Sequence, residues 1–177
     1  VPARPILRAY IVIHSERIDS MKIEHILPAD IERRSMEIIE AELGPIQLPP
    51  DEKDIIKRVV HTSADFDYVR NLRFSEGAVG KALEALQKGC TIVTDTNMAC
   101  MGISQPGLTK LGCHKVCFMA DDDVAAAARE KGTTRAQASM DKAAGLTGPL
   151  IIAVGNAPTA LLRLKELIEA GQIAPAL

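Results

Sequence analysis

Arg58 and His61 are the residues in this chain whose types and spacing best suit chemistry. They lie three apart in Lys57-Arg58-Val59-Val60-His61-Thr62-Ser63-Ala64-Asp65-Phe66, so a helix there presents both on one face. Ile55, Ile56, Val59 and Val60 form a neighbouring apolar stripe, which sets the pair at the border of a core. A fixed cation beside a group that exchanges a proton near neutral pH suits acid–base work on an anionic substrate. Asp54, Arg58, His61 and Asp65 follow at steps of four, three and four, a polar ridge beside that stripe. The same spacing also fits a plainer reading, an Arg58–Asp54 salt bridge and a hydrogen-bonded surface histidine.

Other candidates are weaker. His14 and His25 fall in an irregular N-terminal stretch, and His114 has only Lys115 as a charged neighbour. Cys113-His114 with Cys117 has the look of a metal pair but lacks a second Cys-x-x-Cys, and Cys117 sits in the apolar run Val116-Cys117-Phe118-Met119. The four cysteines therefore read as reduced thiols of a cytoplasmic protein, with no metal site. No Gly-x-Ser-x-Gly elbow, phosphate-binding loop or His-Glu-x-x-His is present.

The 177 residues fit one domain with a full core. Hydrophobic residues reach 47% while aromatics are 3%, so helices pack on aliphatic strands and base-stacking platforms are excluded. A net charge of −2 gives no nucleic-acid footprint. No apolar run approaches the ~20 residues that span a bilayer. The opening Val1-Pro2-Ala3-Arg4-Pro5 does not read as a signal peptide, and both ends read as those of a fragment.

Elements that would position the ridge follow from caps and periodicity. Residues 6–13 read as an edge strand. Asp30 is an N-cap for a helix over about 31–43 closed by Gly44-Pro45, with Ser35 inside the apolar stripe of Ile31, Ile38 and Ile39. The Ser35 hydroxyl either bonds back to a backbone carbonyl or points into a pocket. Pro49-Pro50-Asp51 opens the helix of Arg58 and His61. A short strand is expected over Val69 to Phe74, and Ser75 caps a helix to about Lys88, ended by Gly89. Strands follow at Cys90 to Thr94, Lys115 to Met119 and Leu150 to Val154. Helices intervene after Asp121-Asp122-Asp123 and over about 134–144, and a last one covers about 158–170.

Alternating apolar strands and helices indicate an α/β fold with a parallel sheet covered on both faces, whose ligands bind beyond the strands' carboxyl ends. Asp95-Thr96-Asn97 and Gly155-Asn156-Ala157-Pro158-Thr159 occupy that position. The second offers amides at a helix N-terminus, either as an anion site or as an ordinary capped turn.

Four segments in order carry a resemblance: Arg34-Ser35-Met36-Glu37-Ile38-Ile39, Arg58-Val59-Val60-His61-Thr62-Ser63-Ala64-Asp65-Phe66, Thr94-Asp95-Thr96-Asn97-Met98-Ala99 and Val154-Gly155-Asn156-Ala157-Pro158-Thr159-Ala160-Leu161. Together, from about residue 28 onward, the chain resembles the precorrin-8X methylmutase family, also described as cobalt-precorrin-8 methylmutase. The resemblance implies a three-layer α/β/α, flavodoxin-like, mainly parallel sheet and a homodimer. It implies an isomerase of cobalamin biosynthesis that moves a methyl group from C-11 to C-12 of a corrin ring, with no cofactor of its own. It gives His61 the role of proton donor and acceptor. Ser35, Arg58, Asp95, Asn97, Asn156 and Thr159 become substrate contacts. It also implies a single domain over 1–177 lacking a further strand and a Gly-rich segment. A non-catalytic corrinoid carrier is the other reading, and a flavodoxin-like nucleotide module lacks its phosphate loop.

Overall fold

The computed structural model describes residues 27–177. These fall into two compact units, one ending at Asn71 and the other beginning at Leu72. The expected strand over 6–13, His14 and His25 lie outside the described residues.

The first unit contains α1 (Pro28–Leu43), α2 (Pro50–Ser63) and the single turn α3 (Tyr68–Asn71). Both long helices start on a proline in the first turn, whose fixed φ suits that position and whose missing N–H costs nothing there. Asp30 accordingly lies inside α1 and pairs with Arg33 at 3.0 Å instead of capping it. Gly44 ends α1 with φ 60°. Ile39 and Leu43 of α1, and Ile56 and Val60 of α2, are buried.

The strand expected over Val69 to Phe74 is not formed. The Asp65 carboxylate accepts the Asp67 amide, and the Val69 and Arg70 amides bond back to Phe66 and Asp67. A local turn therefore takes donors that a strand would have left for a neighbour.

The second unit opens with α4 (Ala78–Gln87), whose N-cap is Gly77 and not Ser75. Then come β1 (Thr91–Thr94), α5 (Asn97–Gly102), α6 (Gln105–Leu111), β2 (His114–Val116), α7 (Asp122–Glu130), α8 (Arg135–Ala143), β3 (Leu150–Ala153) and α9 (Pro158–Glu169). The strands lie parallel in the order β2-β1-β3, with Val93 opposite Val116 and Ile152, and Ile92 opposite Lys115 and Ile151. That order begins the flavodoxin-like arrangement.

Strand alternation divides the core. Val93, Leu150 and Ile152 pack with Met140, Ala143, Ala160, Leu164 and Leu167 of α8 and α9. Ile92 and Ile151, one residue along, pack on the other side with Ala85 of α4 and Leu108 of α6. Helices thus cover both faces, giving three layers. α6 is a helix beyond those expected from periodicity, although Ser104 caps it, Pro106 sits in its first turn and Gly112 closes it with φ 63°. Gly89 takes φ 77°, and a Cβ there would come within 3.0 Å of the Gly112 carbonyl oxygen, so only glycine fits where the chain enters β1.

Candidate functional site

In the first unit, α1 and α2 bring His61 to Ser35, 26 residues apart in sequence: Ser35 Oγ lies 2.7 Å from His61 Nδ1. The Ser35 hydroxyl therefore does not bond back along its own helix; it belongs to the wall of a pocket, tied there to His61. Its bond occupies one ring nitrogen and leaves Nε2 for a ligand. A hydroxyl can donate to Nδ1 or accept from it, so the contact survives either state of the ring.

These two residues line a cavity of about 350 Å³ with Ile31, Ile38, Ile39, Val60, Ala64 and Phe66 for apolar walls and Arg34 and Glu42 as charged members. Ligand pockets run from roughly 300 to 1,000 Å³, which puts this cavity at the small end of that range. Its wall includes Ala64 at φ 55°, a left-handed alanine that closes α2 by donating its amide to the Val60 carbonyl. Non-glycine residues in that region carry strain and gather at functional sites.

Arg58 stands differently from its neighbour. Its guanidinium is exposed and pairs with Glu32 at 2.7 Å, across to α1 and not to Asp54 on its own helix. It is not among the residues lining the cavity.

In the second unit, Asp95 follows β1 and is fully buried. Its Oδ2 accepts the Asn156 amide at 2.8 Å and the Ala157 amide at 2.7 Å. The turn after β3, read from sequence as a possible anion site, thus already has a carboxylate from its own chain on those donors. Burial alone would raise the Asp95 pKa, but the amides of Asn156, Ala157 and Gly155 outweigh it and hold the carboxyl below its usual range. Oδ1 has no hydrogen-bond partner among the described residues.

Asn97 is exposed at the start of α5, where the Thr96 side chain caps the helix through the Ala99 amide. Asn156 is exposed, and Thr159 Oγ1 meets Thr134 Oγ1 at 3.1 Å. Thr134 also forms a capping box with Gln137, for which Thr-x-x-Gln is the sequence signal. Cys113 is buried, its Sγ 3.8 Å from Cys90 Sγ and donating to the Leu86 carbonyl at 3.3 Å. No group of three or more His, Cys, Asp or Glu among the described residues is placed to hold a metal. None of the described helices is long and apolar enough to cross a membrane.

Comparison with known proteins gives consistent results. Residues 30–177 match the family model described as precorrin-8X methylmutase. The cobalt-precorrin-8 methylmutase of Leptospira interrogans is 40% identical over 153 residues, which cover 85% of this chain and 70% of that protein. The precorrin-8X methylmutase of Pseudomonas aeruginosa is 34% identical over 147 residues, covering 83% and 70%. A solved structure of precorrin-8x methyl mutase from Thermus thermophilus superposes with a TM-score of 0.75 at 39% identity, over 84% of this chain and 71% of that one.

Proposed function

The chain belongs to the precorrin-8X methylmutase family, and from that membership we propose that it is an isomerase of cobalamin biosynthesis with His61 as its proton donor and acceptor. The reaction moves a methyl group from C-11 to C-12 of the corrin ring within one molecule. The observation that carries the assignment is the Ser35–His61 contact on an apolar cavity.

A methyl shift coupled to a change of tautomer needs a ring held in place and a group that moves a proton at its edge. Ser35 fixes the imidazole, and Nε2 meets a ring nitrogen. The nitrogen takes a proton from His61 and a proton returns to His61 as the product tautomer forms, so the isomerisation closes with no net proton change. Ile31, Ile38, Val60 and Phe66 supply apolar contact to the macrocycle. Exposed Arg58, Asn97 and Asn156 are proposed as substrate contacts. Asp95 and Thr159, whose side chains bond within the protein, act through the turn and helix they hold. The protein works as a homodimer, a point that mass measurement in solution checks. A cytoplasmic setting suits four free thiols.

Incubation of the chain with metal-free and with cobalt-loaded precorrin-8, followed by ring absorbance, tests this directly. Conversion of either form is expected. Tight binding of product with no conversion of either form favours the carrier reading instead.

A further inference from the structure

We infer that Arg34 and Glu42 polarise the His61 cavity, so that Arg34 receives a side-chain carboxylate of the macrocycle and Glu42 turns one away. This rests on the corrinoid-isomerase reading above and concerns which edge of the ring is presented to His61.

Both residues line the cavity, and they stand eight residues apart on α1, about 12 Å along the helix axis. Along that axis the wall runs from Ile31 through Arg34 and Ser35 with its histidine, past Ile38 and Ile39, to Glu42. The cation is thus at the His61 end and the anion at the far end.

The bonding on α1 leaves Arg34 available. Glu37 gives one oxygen to Arg33 at 2.7 Å and reaches Arg34 only at 3.5 Å. Arg33 is further held by Asp30 at 3.0 Å. A guanidinium has five N–H donors in a planar fork that matches a carboxylate, and this one has a single long contact among the described residues. Glu42 makes no hydrogen bond or ion pair among the described residues. By contrast Arg58, the cation that sequence spacing favours, is paired at 2.7 Å outside the cavity lining.

A corrin precursor carries carboxylate arms around its rim and methyl groups between them. In a uniformly apolar slot, several orientations would bind alike. With a cation at one end and an anion at the other, an orientation that places an arm on Arg34 and a methyl-bearing edge near Glu42 is preferred. Attraction and repulsion together make the discrimination.

The test compares equilibrium binding of the product acid and its fully esterified form, by ring absorbance, to the unsubstituted chain, Arg34→Gln, Arg34→Lys and Glu42→Gln. Both positions are on the helix surface, and circular dichroism verifies folding. Arg34→Gln should weaken the acid about tenfold, the scale of a partly exposed charged hydrogen bond, and leave the ester unchanged. Arg34→Lys should recover part of the loss, and Glu42→Gln should tighten the acid alone. In turnover, Arg34→Gln should raise KM more than it lowers kcat. Equal effects on acid and ester, or none on either, overturn the polarity while leaving the isomerase reading intact if the unsubstituted chain still turns over. Failure of the unsubstituted chain to bind either form overturns both.

Discussion

Removing the Asp95 carboxylate should destabilise the second unit by about 2.5 kcal/mol, the difference between the mid-range values of two opposing contributions. Asp95→Ala deletes two hydrogen bonds from buried carboxylate to backbone amides, at 2.8 and 2.7 Å, each worth ~1.5–3 kcal/mol with a charged acceptor. The gross loss is therefore about 3–6 kcal/mol. Against it, Asp95 carries an unpartnered buried oxygen, Oδ1, whose desolvation costs ~1–3 kcal/mol and disappears with the side chain. Asp95→Asn keeps the shape and an acceptor but loses the charge, and should cost about half as much. The carboxyl is held below its ordinary pKa by the turn amides, so its stabilisation is present above the unfolded value of about 3.9 and lost as pH falls through the folded value. Urea unfolding followed by far-ultraviolet circular dichroism, at pH 7 and below pH 4, reads both effects. The gap between Asp95→Asn and the unsubstituted chain should narrow in acid. A gap that widens in acid, or an Asp95→Ala variant as stable as the parent, would refute the reasoning.

Ser35→Ala should lower kcat by about 10- to 100-fold with little change in stability, because it frees a half-buried imidazole to leave the geometry on which proton transfer depends; steady-state kinetics and thermal melting check this. Burial, then the neighbouring Cys113 thiol, pushes the Cys90 thiol up to about 11, so it stays protonated near neutral pH. Iodoacetamide at pH 8 should therefore label Cys100 and Cys117 in the native protein and reach Cys90 and Cys113 only on unfolding, with mass spectrometry of digests as the readout.

What the sequence made legible was local. The Pro49-Pro50-Asp51 start gave α2 its position, and with it the shared face of Arg58 and His61. The apolar runs around Val93 and Ile152 gave the buried strands, and their alternation with helices gave the layers. The pairings that define the site depend on contacts remote in sequence. Ser35 meets His61 across 26 residues, and Asp95 meets the Asn156 turn across 61. No periodicity encodes either. Arg58 shows the limit from the other side: helical spacing offered Asp54 as its partner, but Glu32 of a packed neighbour takes it. The strand expected over Val69 to Phe74 failed because apolar content alone does not supply a partner strand, whereas the Asp65 side chain supplies a turn.

In the proposed reaction His61 moves the proton that accompanies methyl migration. His61→Ala, assayed for conversion of precorrin-8 and in parallel for binding of the product ring, separates that role from ring binding. Conversion should fall by at least about 100-fold, within the range that a positioned acid–base group contributes, while the ring still binds. Unchanged conversion in His61→Ala would contradict the role given to this histidine.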